Sequence, residues 1–239
     1  MFNFRTIGIE AALVALIFLT ALVTNGNISM FDNFYDPVIM SLRTPGMNTF
    51  MEFFTYLGNW QTIVIICLLL LAYDKTRKTY GIPLTTVAAF SCIVNKIFKV
   101  IVAKPRPDVA NMLIEQGGYT YPSGHTTTFV AVLFFLAYLL YKNMKNQYAS
   151  LFYIVLFNIM AIAMAFSRVY LGVHHTSDVI AGFLLGLLCF CLISQFFYPH
   201  KKEVEKMRAQ ARAKRDAERA KLDNVEVEVV SEEEMKNLR

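Results

Sequence analysis

PSGHTTTFVAVLFFLAYLLYK, residues 122–142, opens on Pro122, Ser123, Gly124 and His125 and then carries no charge over residues 126–141 before Lys142 closes it. An apolar run approaching the ~20 residues that cross a bilayer predicts a membrane helix, here with an ionisable ring at its first turn. Working outward, similar runs occupy residues 6–23, 53–73, 82–103, 149–166 and 179–198. The expectation is an all-α membrane protein, a six-transmembrane helix bundle over residues 1–199 followed by a charged cytoplasmic C-terminal helix or tail over residues 200–239.

Composition agrees with this reading. Of 239 residues, 56% are hydrophobic and 17% charged, more apolar surface than a soluble domain of this size can hide. The formal charge of +5 is unevenly placed, so a nucleic-acid partner is not inferred. Cys67, Cys92, Cys189 and Cys191 lie in apolar runs without the spacing of a zinc or redox site. The first run follows Arg5 and precedes no clear cleavage signature, so it is read as a retained span.

Basic residues in the connections set the orientation. Lys75, Arg77 and Lys78 follow the second span, Lys142 and Lys145 the fourth, and Lys201 and Lys202 the sixth. These ends, and with them both termini, are expected in the cytoplasm, which places the other three connections on the outer face. The first outer segment, residues 25–52, has enough apolar character for a short interfacial helix, with a packed loop as the alternative. Pro37 and Pro45 are expected to limit its helical length, and no function is read into it. In the tail, nine Lys or Arg over residues 201–221 give way to six acidic residues over 223–234, a solvated helix followed by an acidic end.

Three patterns fall at the outer ends of spans three to six. They are Lys99 with Arg106 and Pro107; Pro122 through His125; and Ser167 and Arg168 followed by His174 and Asp178. Together with six spans they resemble the type 2 phosphatidic acid phosphatase family, which also includes soluble vanadium haloperoxidases. The resemblance covers the membrane region, leaves the tail unexplained, and implies phosphoester hydrolysis on a histidine nucleophile.

The residue types support the same chemistry. Lys99, Arg106 and Arg168 offer three positive charges to a phosphate, the arginine forks suiting its equatorial oxygens. Lys96 and Lys104 read as residues snorkelling to the interface. Ser123 and Gly124 precede span four, where free backbone N–H groups can bind an anion; Ser123 is also a plausible N-cap. Four residues apart, His174 and Asp178 can share a helical face, so the carboxylate can orient an imidazole that attacks phosphorus. His175 could reach that face too, although its spacing from Arg168 is less apt. His125 is the expected general acid, and then the base that activates water.

No carboxylate cluster suggests a divalent ion, so the expectation is a metal-independent phosphatase without cofactor, active in excess EDTA. The expected partners are the bilayer and a membrane lipid phosphate: undecaprenyl pyrophosphate, phosphatidylglycerol phosphate or phosphatidic acid. Nothing in the pattern selects among these lipids or sets an oligomeric state. A phosphotransferase using a non-water acceptor is the alternative.

Overall fold

The computed structural model describes residues 4–199 together with Arg215; the rest of the expected tail lies outside the described residues. The described residues up to Ser194 belong to one compact unit. The chain is all-helical among the described residues. After α1 (Phe4–Thr24) come α2 (Ser29–Met40), α3 (Pro45–Thr55), a 3-10 turn (Tyr56–Gly58) and α4 (Trp60–Ala72). A single turn, α5 (Asp74–Thr76), and a π turn lead into α6 (Ile82–Val102), followed by α7 (Gly124–Asn143), α8 (Gln147–Tyr170) and α9 (Thr176–Phe197).

Five of the helical segments are long and apolar enough to cross a bilayer, and a sixth span results if α3 and α4, bent by 47°, count as one. The apolar pattern of residues 53–73 therefore conceals a break. Tyr56–Gly58 tightens into the 3-10 turn, and Asn59 turns extended (φ −66°, ψ 145°) before α4 restarts. Gly58 permits this turn to sit deep in the bundle, because a Cβ there would lie 2.8 Å from the Met164 methyl carbon and 3.3 Å from the His125 ring.

The bundle is built around α7. Of its 20 residues 10 are buried, against 7 of 24 in α8. Val130, Ala131, Phe135 and Leu139 supply its buried stripe. Gly182 and Gly186 let α9 meet α7 backbone to backbone: a Cβ at these positions would lie 2.8 Å from the Ser123 carbonyl oxygen and 2.6 Å from that of Thr127. Such small-residue spacing is how membrane helices gain close packing where lipid is as apolar as leucine. One consequence is local: the Ser123 N–H donates to the Asp178 carbonyl oxygen (3.0 Å), which docks the two chemistry-bearing helix starts on each other.

Residues 25–52 correct the sequence reading in two respects. Pro37 lies inside α2 and does not end it, whereas Pro45 begins α3 behind Thr44, whose hydroxyl accepts the Met47 N–H. More consequentially, α2 is amphipathic in the inverse sense. Asp32 and Asp36 are buried, while Met30, Phe34 and Val38, at the same four-residue spacing, are exposed. Two carboxylates turned inward from an apolar helix require polar partners in the bundle.

Candidate active site

Lys99 sits in the last turn of α6, which ends on Ala103 in the left-handed conformation (φ 48°). That reversal turns the chain so that Lys104 and Arg106 follow at the helix end. Lys99 Nζ donates to the carbonyl oxygens of Tyr119 (2.6 Å) and Thr120 (3.2 Å). Arg106 donates through Nε to Gly117 and Gly118 and through Nη1 to the Val173 carbonyl (2.6 Å), and its Nη1 lies 3.5 Å from His174 Nε2. Arg168, fully buried, donates to the Thr55 hydroxyl and to Gln116 Oε1 (3.0 Å). Its Nε, also buried, has no partner.

His174 is 2% exposed. Its Nδ1 lies 2.9 Å from Thr120 Oγ1 and 3.5 Å from Asp178 Oδ2, while Thr120 Oγ1 donates to that same carboxylate oxygen at 2.5 Å. A hydroxyl has one proton, and this one goes to Asp178; toward His174 the oxygen therefore accepts, so Nδ1 carries the ring proton and Nε2 the lone pair. The carboxylate thus orients the imidazole chiefly through Thr120, a residue the sequence reading did not single out. Burial foremost, and then the charges of Arg168 and Lys99, pull the His174 pKa down to about 3 against the opposing pull of Asp178. The ring is neutral at physiological pH, with Nε2 turned toward Arg106.

His175 is drawn elsewhere. Its Nδ1 meets Asp36 Oδ2 at 2.7 Å, and only its backbone N–H reaches Asp178 (2.9 Å). Asp36 Oδ1 also accepts from the Thr176 N–H and hydroxyl, and Asp32 Oδ1 from the Ser177 N–H (2.8 Å). The two acids of α2 therefore satisfy the free N–H groups at the start of α9. Lys104, read from sequence as a snorkelling residue, instead points into the protein: Nζ donates to Asp32 Oδ2 (3.0 Å), Ser177 Oγ (2.9 Å) and Asp178 Oδ1 (2.9 Å). Three protons meet three acceptors. The signal that could have found this cluster was an i, i+4 acidic pair in an apolar segment, since such acids face inward with a partner.

Ser123 occupies the N-cap position of α7, yet its side chain caps no backbone N–H and instead accepts from the Thr126 hydroxyl (3.0 Å). The first amides of α7 are left without a side-chain cap. Gly124 keeps that helix start close to α6, since a Cβ there would lie 3.2 Å from Asn95 Oδ1 and 4.0 Å from Lys99 Cε. His125 Nε2 pairs with Asn59 Oδ1 at 2.7 Å, within electrostatic reach of Arg168, His174, Arg106 and Lys99. No group of three metal-binding side chains occurs among the described residues.

Charge balance distinguishes two halves of the site. Asp32, Asp36 and Asp178 are paired with Lys104 and His175, whereas no carboxylate among the described residues pairs with Lys99, Arg106 or Arg168. A neutral imidazole whose Nε2 carries the lone pair, with only Arg106 Nη1 at 3.5 Å beside it, stands among three cations that lack carboxylate partners, an arrangement suited to a multiply charged anion that histidine attacks.

Residues 80–202 match the family described as the PAP2 superfamily. Phosphatidylglycerophosphatase B of Bacillus subtilis (strain 168) is 33% identical over 187 residues, 76% of this chain and 90% of that protein. An undecaprenyl-diphosphatase of Sulfolobus acidocaldarius is 33% identical over 145 residues, 59% of this chain and 66% of that one. The crystal structure of a transmembrane PAP2 type phosphatidylglycerolphosphate phosphatase from Bacillus subtilis superposes with a TM-score of 0.72 at 28% identity, covering 81% of this chain and 97% of that one.

Proposed function

As the chain belongs to the PAP2 superfamily, we propose that it hydrolyses a membrane lipid phosphate or pyrophosphate through a phosphohistidine on His174. The observation that carries this reading is the set of three cations without carboxylate partners whose charges act on His174, Arg106 lying 3.5 Å from its unprotonated Nε2. Lys99, Arg106, Arg168 and the uncapped amides of α7 bind the phosphoryl oxygens. Nε2 attacks phosphorus in line; the P–N bond forms as the bond to the leaving oxygen breaks, and His125, held protonated by the bound phosphate dianion, gives that oxygen a proton. In the second step His125 takes a proton from water, whose oxygen displaces His174 and releases phosphate. Asp178 stabilises the imidazolium that forms between the steps.

The substrate class follows from the setting: a phosphate site at the ends of apolar helices receives a headgroup whose tail stays in the bilayer. Phosphatidylglycerol phosphate and undecaprenyl pyrophosphate are the first lipids to test, because relatives are named for them, with phosphatidic acid beside them. The outward-facing site and the cytoplasmic termini rest on the basic connections, and the six spans on counting α3 and α4 as one. The test is phosphate release by the detergent-solubilised protein from these three lipids, in EDTA and without added acceptor, with His174→Ala alongside. Release by the parent alone supports the reading. Equal rates for both proteins would remove His174 as nucleophile, and release only with an added acceptor would make the protein a phosphotransferase.

A further inference from the structure

Span two carries none of the sequence patterns, yet its break reaches two residues of the site. Thr55 accepts from Arg168 on one side of the 3-10 turn, and Asn59 meets His125 on the other. We propose that Asn59 is the positioning residue of the general acid: its carboxamide oxygen holds the Nε2 proton of His125 and leaves Nδ1 as the nitrogen that passes a proton to the leaving oxygen. The proposal rests on the reading of His125 as general acid.

A carboxamide oxygen can only accept, so the ring nitrogen 2.7 Å from it bears hydrogen whether His125 is neutral or cationic. The proton that comes and goes is then the one on Nδ1, for which no hydrogen-bonding partner occurs among the described residues. The ring cannot readily turn over, because its Cδ2 edge lies against Gly58. Asn59 itself is fixed at both backbone groups: its N–H donates to the Tyr56 carbonyl (3.1 Å) and its carbonyl accepts from Ile63 (3.2 Å). The side chain is therefore a short arm on an anchored corner.

Why an amide stands here, when His174 is served by a carboxylate, follows from the two tasks. A nucleophile that becomes cationic gains from a nearby negative charge. An acid that must give up its proton is weakened by one. Arg168, His174, Arg106 and Lys99 are the charged and titratable groups that act most strongly on His125, and among the described residues no carboxylate pairs with it. Asn59 orients the ring without adding the charge that would hold its proton back.

The leaving group provides the test. An alkoxide needs a proton to depart and 4-nitrophenolate does not, so kcat/KM is compared on a lipid alkyl phosphate and on 4-nitrophenyl phosphate. Asn59→Leu is expected to lose on the order of 10²-fold on the alkyl ester, the scale of general acid catalysis, and little on the aryl ester. Retained aryl activity also shows that the variant is folded. Asn59→Asp keeps the acceptor, so it should retain most of the alkyl activity and move the alkaline limb of kcat/KM to higher pH. Equal losses on both esters for Asn59→Leu, an unchanged alkyl rate, or an inactive Asn59→Asp with no shifted limb would each overturn the proposal. His125→Ala is the reference: if it shows no dependence on the leaving group, the general-acid reading itself fails, and Asn59 has no acid to position.

Discussion

Thr120 does at the residue scale what Asp178 was expected to do alone. Its hydroxyl stands between carboxylate and imidazole, and the direction of its one proton decides which nitrogen of His174 is free. Thr120→Val keeps the shape and removes this relay. It should lower kcat/KM by roughly 10- to 100-fold, by analogy with the loss of a partner that orients a metal-ligating histidine, while Thr120→Ser keeps most of the activity. A second expectation follows from burial. The His174 pKa falls from 6.5 in the unfolded chain to about 3 in the folded one, so between these values the unfolded state binds more protons. Stability from this group is fully present above pH 6.5 and is lost as pH falls toward 3. Melting temperature in detergent should drop more steeply across that window for the parent than for His174→Gln. The sequence patterns singled out Lys99, Arg106, His125, Arg168, His174 and Asp178, which the fold brings to one end of the bundle, because they stand at short spacings near helix ends. Thr120 and Asn59 were not legible, since each meets its histidine across more than fifty residues of chain.

Among the elements, α2 is where sequence reading gave least and the structure gives most. Its apolar face suggested an interfacial segment, and the inward face carrying Asp32 and Asp36 went unread because both partners lie more than seventy residues away. These acids hold the first turn of α9, and Lys104 joins Asp32 to Asp178 in one buried cluster. Asp32→Ala leaves Lys104 with one carboxylate and the Ser177 N–H without its acceptor. Removing one member of a buried ion pair costs about 3–5 kcal/mol. Chemical denaturation in detergent should show a loss of that order, against a much smaller one for Met30→Ala on the exposed face. Comparable losses would mean that α2 is held by its apolar side instead.

Over the whole molecule, apolar periodicity revealed which segments are helical, whereas the break in span two was hidden because residues 53–73 are apolar on both sides of it. The basic connections predict a site on the outer face. Cysteines introduced singly at Asp108 and at Lys145, with the four native thiols replaced, test this: in intact cells an impermeant maleimide should label the first position and spare the second. Phosphohistidine formation is the central claim, and it can be observed directly. The protein is mixed with lipid phosphate carrying radiolabelled phosphorus and quenched in alkali, where a phosphorus–nitrogen bond survives and a phosphoserine ester or acyl phosphate does not. Label that stays on the parent protein in alkali, leaves in acid, and is absent from His174→Ala is the expected result. Turnover with no labelled protein, or label that persists in His174→Ala, would contradict it.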